Sequence, residues 1–381
     1  MSAQRLIIIL VLFISVKVHA TMEVFEMNTN VRALGMGNAF LGVAHGADAM
    51  FYNPAGLARN SGFNWLILDP KLGVSGLEAF ESVKDLQSDD GFESAIRELY
   101  GDHVWAGAGA KSILTIPFLG VGVYDNLDAS LDIDNPAYPN LDVSVVNDFG
   151  YVAGLGIPIF PFVHAGMVIK RVKRKGARVP FGPSYIASLD PERIQQNIET
   201  EGTGYGLDLG GNIVIPGPFM ETVLSAVWKD VGNTTFKSGI EGSEPPSQPQ
   251  EMSIGAAINV DLPLISVSPA IDIKHLNRED VQLAKKIHLG VEVGLPLIDL
   301  RAGLYQGYYT LGAGVSLGFL RVDAATYGVE LVAYPGQRED RRYMVQLTLE
   351  LGFNPGFNIL GGSSGSGGSK TARQRGLKQR R

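Results

Sequence analysis

The stretch that decides the fold is Tyr343 to Phe353, YMVQLTLELGF. In an extended chain Tyr343, Val345, Leu347, Leu349, Leu351 and Phe353 point one way, and Met344, Gln346, Thr348, Glu350 and Gly352 the other, because successive strand side chains alternate between faces. The same period of two returns upstream. Ile287, Leu289, Val291, Val293 and Leu295 alternate with His288, Gly290, Glu292 and Gly294, and Ile298, Leu300, Ala302 and Leu304 alternate with Asp299, Arg301, Gly303 and Tyr305. Tyr205, Leu207, Leu209, Gly211, Ile213 and Ile215 alternate with Gly206, Asp208, Gly210 and Asn212. A soluble antiparallel sheet also alternates, but its polar face usually carries many Lys and Glu. Here that face is mostly Gly, Ala and Ser with isolated charges, as in a barrel whose apolar rows face lipid.

The connections between these rows are of two kinds. Short apolar turns with Pro recur at Ile116-Pro117-Phe118-Leu119, Ile157-Pro158-Ile159-Phe160-Pro161, Ile215-Pro216-Gly217-Pro218-Phe219, Asp261-Leu262-Pro263-Leu264-Ile265 and Leu295-Pro296-Leu297-Ile298. Pro cannot donate to a ladder, so each marks a strand break. Long polar loops are expected near 75–102, 127–146, 173–203 and 231–250. Short turns alternating with long loops is the pattern of an outer-membrane barrel, with short turns in the periplasm and long loops outside. The strands are placed at 64–74, 103–116, 119–126, 147–157, 162–172, 204–215, 221–230, 251–260, 267–277, 285–295, 298–306, 308–318, 320–331 and 341–353. That is about fourteen, with twelve as the alternative. The expected fold is all-β: a transmembrane antiparallel barrel over residues 63–353.

Composition supports export rather than a cytosolic life. Charged residues make up only 19% of the 381, lean for a water-facing surface. Residues 1–20 read as a signal peptide: Arg5, an apolar run from Leu6 to Val16, and Val18-His19-Ala20 as a small-residue cleavage site. The run is too short to span a bilayer. The absence of Cys excludes disulfides, thiolate metal sites and a lipid-modified Cys. The net charge of −7 understates the acidity of the body, since Arg5, Lys17 and the six basic residues beyond Leu360 lie at the two ends. An acidic body argues against nucleic acid as a partner. Residues 354–381 form a Gly/Ser linker and a basic end, a flexible tail.

The remaining stretch, Asn30 to Arg59, reads NVRALGMGNAFLGVAHGADAMFYNPAGLAR. Its charges are confined to Arg32, Asp48 and Arg59, with His45, and its small residues keep neither a period of 2 nor of 3.6. Gly35, Gly37, Gly42 and Gly46 let it fold tightly against other surfaces. Asn53 is expected to cap a short helical turn with Pro54 at its first position. The segment reads as a compact, nearly apolar plug.

RALGMGNAF followed by DAMFYNPAGLA resembles the N-terminal hatch of FadL-type outer-membrane transporters for long-chain fatty acids and other hydrophobic compounds, and also the related PorV/PorQ-like barrels associated with secretion. The resemblance covers about thirty residues of the motif. It implies a fourteen-stranded barrel, a hatch over residues 21–62 carrying the Asn-Pro-Ala motif, and a place in the outer membrane. It also implies a gate at Phe40, Phe51, Tyr52, Asn53, Pro54 and Ala55, where an apolar ligand meets the hatch. Hydrophobic small molecules are then the expected cargo, and membrane lipid and lipopolysaccharide the expected surroundings. The alternative is a PorV-like scaffold that binds periplasmic or secreted proteins.

Other chemistry is weak. Gly314-Val315-Ser316-Leu317-Gly318 matches a hydrolase elbow, but a strand runs straight through it with no helix after. Gly202 to Gly206 leads into a strand rather than a helix. The six His are scattered without metal spacing, so no enzyme activity, cofactor or metal is expected. Asp208, Asp272, Lys274, Glu292, Arg301, Arg321, Asp323 and Glu350 all fall on the lumen side, where both signs can pair with each other and with the hatch. Arg171, Lys173, Arg174, Lys175 and Arg178 are expected at an outer strand end, as phosphate partners or as a solvated loop. Residues 91–100 and 190–198 read as helical, covering the barrel mouth or offering a first docking groove.

Overall fold

A computed structural model describes residues 23–24, 26–76, 103–134, 140–181, 200–239 and 243–353. The leader, the two helical loop segments and the tail lie outside these residues.

The chain forms one closed antiparallel sheet. Strand β1 has two segments, Phe63–Leu68 and Lys71–Val74, and it is followed by β2 (His103–Ile116), β3 (Leu119–Asp134), β4 (Asn140–Phe160) and β5 (Val163–Phe181). Next come β6 (Glu201–Pro216), β7 (Met220–Lys229), β8 (Glu251–Asp261), β9 (Ser266–Ile273) and β10 (Ile287–Gly294). The last four are β11 (Ile298–Tyr305), β12 (Tyr308–Leu317), β13 (Leu320–Glu330) and β14 (Glu339–Phe353). Each pairs with its neighbours in sequence, and β1 closes the ring. Its first segment aligns Trp65 with Leu351 of β14 and with Leu114 of β2, and its second aligns Leu72 with Val345 and Ala108. The break between the segments holds Pro70, which has no ladder donor. Fourteen strands in a closed ring leave no sheet edge, which is the condition for a sheet to stand in lipid.

Alternation along each strand sorts the faces. On β14 Tyr343, Val345, Leu347 and Leu351 are exposed, while Met344, Gln346 and Thr348 are buried. On β6 Tyr205, Leu209, Ile213 and Ile215 face out, and Asp208 and Asn212 face in. The apolar side is outside and the polar side inside, the reverse of a soluble domain and the arrangement of a membrane barrel.

Two expected loops prove to be strand in part. Residues 127–134 continue β3, 140–146 open β4 and 173–181 end β5. In the first two stretches the alternation of the sequence continues, with Leu127, Ala129, Leu131 and Ile133 set against Asp128, Ser130, Asp132 and Asp134, and Leu141, Val143 and Val145 against Asp142 and Ser144. Only around Lys173-Arg174-Lys175 do both faces turn polar. Backbone pairing runs on throughout, as in Ser130↔Ser144 and Lys173↔Thr203. Ser316 stays within the uninterrupted strand β12, aligned with Arg321.

Inside the ring lies the segment from Asn30 to Arg59. Helix α1 (Val31–Gly35) is capped by Asn30, whose side chain accepts from the Ala33 N–H. A 3-10 turn follows at Gly46–Met50, and another at Pro54–Arg59 capped by Asn53. Leu34, Met36, Phe40, Leu41, Met50, Tyr52 and Leu57 are the segment's large, almost fully buried side chains. With Ile113, Tyr124, Val152, Val168 and Ala257 of the wall, several of them make up the main apolar core of the molecule.

Candidate functional site: the lumen and the segment that fills it

The segment threads the lumen from the long-loop end to the short-turn end. At the top, Glu23 pairs with Arg342 at 2.8 Å and Glu26 with Lys274 at 2.9 Å. At the bottom, Arg59 pairs with Glu221 beside a short turn, and the chain passes into β1.

Its fit against the wall depends on missing side chains. Pro54 lies over β5 and β6 at Gly166 and Gly210. A Cβ added at Gly166 would stand 2.3 Å from the Pro54 carbonyl carbon, and one at Gly210 would stand 2.3 Å from Asn53 Oδ1. Gly35 of α1 approaches Gly312 of β12 so closely that either Cβ would meet the other's Cα at about 3 Å. Glycine at these wall positions is a docking requirement, since any larger residue holds the segment off.

Asn53 is the most connected polar residue of the motif. Its Oδ1 accepts from the Ala55 N–H at 3.1 Å, and its Nδ2 donates to the Leu41 carbonyl at 3.2 Å and to Asn212 Oδ1 on β6 at 2.6 Å. Asn212 Oδ1 also accepts from Ser225 on β7 at 2.7 Å. The motif is thus tied to its own helical turn, to the segment behind it and to the wall. Phe40 stacks edge-on to Tyr52 at 5.0 Å, and Phe51 edge-on to Tyr124 of β3 at 5.4 Å. Asp272 of β9 accepts the backbone N–H groups of Phe40 and Leu41 at 2.6 and 3.0 Å. Ala55 is fully buried.

All eight lumen charges expected from the alternation face inward, and most join networks. Arg301 on β11 is the hub of the largest: it donates to Glu292 at 2.6 Å and Asp323 at 2.7 Å, with Asp299 at 3.5 Å. Arg32 of α1 closes a two-pronged pair on Glu292, with Nε at 2.8 Å and Nη2 at 2.7 Å. Arg321 adds a second contact to Asp323 at 2.6 Å. Glu350 accepts from Asn64 of β1. His288 Nδ1 meets the Gly37 carbonyl at 2.9 Å, an ordering contact to the segment. Arg32 is half-buried; desolvation works against its charge, and the Glu292 carboxylate outweighs it, so the guanidinium stays charged.

Several members were missed in the sequence. Lys170 on β5 sits 2.8 Å from both Asp208 and Asp230. Arg174 makes a bidentate pair with Asp148, both contacts at 2.7 Å, and stacks on Phe236 at 4.4 Å. In sequence Arg174 groups with its basic neighbours. Its even number places it with Lys170 and Val172 on the inner face, a signal present in the sequence because β5 runs on past residue 172. The odd-numbered Lys173 and Lys175 point outward and share Glu201 at 2.6 and 3.2 Å.

Above the segment a small cavity, partly open to solvent, is lined by Phe51, Tyr52, Tyr124 and Phe236 together with Lys170, Arg174, Asp208 and Lys229. Its aromatic faces are largely covered: Phe51 is 6% and Tyr52 2% exposed. Phe40 lies deeper, beneath Tyr52 and fully buried. The space has both an aromatic floor and a charged wall.

Among solved structures the chain is similar to FadL-type channels. The Pseudomonas putida toluene transporter TodX shares 10% identity over 87% of this chain and 100% of that one, with a TM-score of 0.48. The CymD monoaromatic hydrocarbon channel shares 12% over 84% and 97%, with 0.47. A Pseudomonas aeruginosa FadL homologue shares 9% over 88% and 100%, with 0.32. No family model and no curated protein sequence matches the chain.

Proposed function

We propose that this chain is an outer-membrane channel that admits small hydrophobic molecules, with residues 1–20 as its leader, 21–62 as its hatch, 63–353 as its barrel and 354–381 as a basic tail. The observation that carries the reading is the placement of residues 30–59: an apolar segment tethered at both ends stops the lumen of a closed ring whose outer face is itself apolar. A stopper joined to the wall by hydrogen bonds and ion pairs, rather than by the ladder, can move without opening the barrel. Phe40, Phe51, Tyr52, Asn53, Pro54 and Ala55 are the gate in this reading. Of the eight lumen charges Asp272, Lys274 and Glu292 hold the hatch directly, and the others brace the wall around it. The cargo class rests on the resemblance of RALGMGNAF and DAMFYNPAGLA to the FadL hatch. Membrane lipid and lipopolysaccharide are the surroundings.

The test is a reversible lock. The chain has no Cys, so Asn53→Cys with Asn212→Cys gives a pair that a short thiol crosslinker joins. Cells whose only hydrophobic-compound channel is this protein take up a labelled long-chain fatty acid when the pair is free and stop when it is crosslinked. Uptake unaffected by the crosslink sinks the gate.

One observation favours a second reading, the PorV-like scaffold. The lumen wall is built of charge pairs from Arg342 at the top to Arg321 near the bottom, rather than a continuous aromatic path. Native mass spectrometry of protein from outer membranes separates the two: co-purifying apolar molecules support the channel, and a stoichiometric bound protein with no such molecules supports the scaffold.

A further inference from the structure

The six short turns at the end where β1 begins and β14 ends are apolar to their tips. Phe160, Phe162, Phe219, Leu264, Leu297 and Phe319 are between 53% and 72% exposed there. The turns contain no Lys, Arg or Glu, and Asp261 is their only charge. Turns that face water are built from Asn, Asp, Ser and Gly for the hydrogen bonds and angles they supply. A ring of exposed Phe and Leu in water is a large apolar patch with nothing covering it.

The outward face carries its own depth scale. Tyr151, Tyr205, Tyr309 and Tyr343 are all exposed on it, and Arg171 lies beside Tyr151 and Tyr205 in the ladder. Arg341 stacks on Tyr309 at 3.9 Å. Beyond this level β5 turns to Lys173 and Lys175, which are half exposed and paired with Glu201. Tyr and Arg at one level, apolar below and charged above, mark a membrane–water interface.

From Tyr205 to Ile215, and from Tyr309 to Phe319, the chain runs ten residues. At about 3.3 Å per residue and a tilt of ~40° that is about 25 Å, the height of the apolar band of a membrane barrel. The lower boundary of the bilayer therefore falls at the turn tips. Strand β11 makes the same point by being short: its eight residues are fewer than the roughly 9–11 a tilted strand needs to cross, so its turn at Leu295–Leu297 must complete the crossing.

We propose that the short-turn rim is immersed in the lower leaflet, with its Phe and Leu tips among acyl chains and headgroups rather than in water. The partner of this surface is the lipid itself. The rim continues the lipid-facing rows without a break, through Ile157, Ile215, Leu300 and Val315, and it does so at turns spread around the ring, whereas a protein partner would cover one side. The depth of the barrel does not depend on what it carries. If the channel reading above holds, it also means that an apolar molecule released beside Arg59 meets lipid first.

The absence of Cys makes a clean experiment possible. Single variants Phe219→Cys, Leu264→Cys and Phe319→Cys are spin-labelled in the full chain and reconstituted into vesicles of phosphatidylethanolamine and phosphatidylglycerol. Collisions of the label with oxygen and with a water-soluble nickel chelate are compared. Leu300→Cys is the mid-barrel reference and Glu279→Cys the aqueous one. Rim labels are expected to resemble the Leu300 reference, with oxygen dominating. Rim labels that collide with nickel as freely as the Glu279 label, or that are shielded from both reagents, overturn the immersion while the barrel stands. If the Leu300 label is itself in water, the membrane barrel fails instead. Phe219→Trp and Phe319→Trp, which preserve bulk, give an independent reading: quenching by lipids brominated along the acyl chain is expected, and its absence counts against the proposal.

Discussion

Replacing Asn53 by Ala isolates the hold of the segment on the wall without touching the strand ladder. Three contacts disappear together: the cap on the Ala55 N–H, the bond to the Leu41 carbonyl and the bond to Asn212 Oδ1. Loss of an N-cap costs about 1 kcal/mol. The buried Leu41 carbonyl then loses a donor, at about 1–3 kcal/mol. Asn212 is hurt less, because Ser225 still donates to the same oxygen. The sum, about 2–4 kcal/mol, multiplies the open population roughly 30- to 700-fold at 1.4 kcal/mol per decade. Hydrogen exchange of the peptide covering Pro54–Arg59, read by mass spectrometry in detergent, should speed up by that factor while peptides from β4 to β6 stay unchanged. Asn53→Asp keeps the capping oxygen but sets a buried carboxylate oxygen against two acceptors, the Leu41 carbonyl and Asn212 Oδ1, so it should exchange at least as fast as Asn53→Ala. Exchange within about twofold of the parent in Asn53→Ala would refute the assignment of this residue as the anchor, since even one cap at the lower end of its range should exceed that.

Arg301→Gln leaves Glu292, Asp323 and Asp299 facing one another with only Arg32 and Arg321 to answer them. Breaking a buried pair costs about 3–5 kcal/mol, and the folded-barrel band in unboiled electrophoresis should be lost at a clearly lower temperature; an unchanged transition argues against the hub. Gly210→Val drives a side chain into Asn53 and Pro54, so the segment should lift off an intact ladder. Planar-bilayer recordings should then show ion leakage absent from the parent protein, and equal conductance would count against close docking. His45 is held down to about 4, by burial first and by Arg32 second, against about 6.5 in an unfolded chain. The unfolded segment therefore binds the proton first, and its stability, complete above pH 6.5, should decline as pH falls toward 4. Exchange of residues 43–52 should accelerate between pH 7 and 5 beyond the intrinsic change, and His45→Asn should abolish the excess.

The barrel was legible in the sequence because lipid imposes a rule that the chain must obey residue by residue. Where a strand crosses the apolar band, every second side chain is apolar, and β2, β8, β11, β12 and β13 begin and end within a residue of the expected places. The rule is harder to see where the strands rise out of the band, because charged and polar residues become dense there. Residues 127–134 and 140–146 read as loop because Asp, Ser and Asn crowd one face, although Leu127, Leu131, Ile133, Leu141, Val143 and Val145 keep the alternation on the other. Residues 173–175 read as loop because both faces are basic; the backbone pairing goes on in all three. Inward charges were legible for the same reason as the apolar rows, since a one-residue shift is the whole difference between lumen and lipid.

What the sequence could not supply was the pairing. That Arg301 binds Glu292 is near in sequence, but Arg32 meeting Glu292, Glu26 meeting Lys274 and Asn53 meeting Asn212 join residues 159 to 260 positions apart. Nor could it say which wall glycines are there for turn geometry and which, like Gly166 and Gly210, are there because Pro54 must lie against them. The sequence by itself determined the faces and the plug-like character of residues 30–59, and narrowed the strand count to fourteen or twelve, because each follows from local alternation, turn residues and composition; the closed ring settled fourteen. Only the closed ring decided how the segment is held, because the groups that hold it are brought together by the curvature of the sheet and by nothing local in the chain.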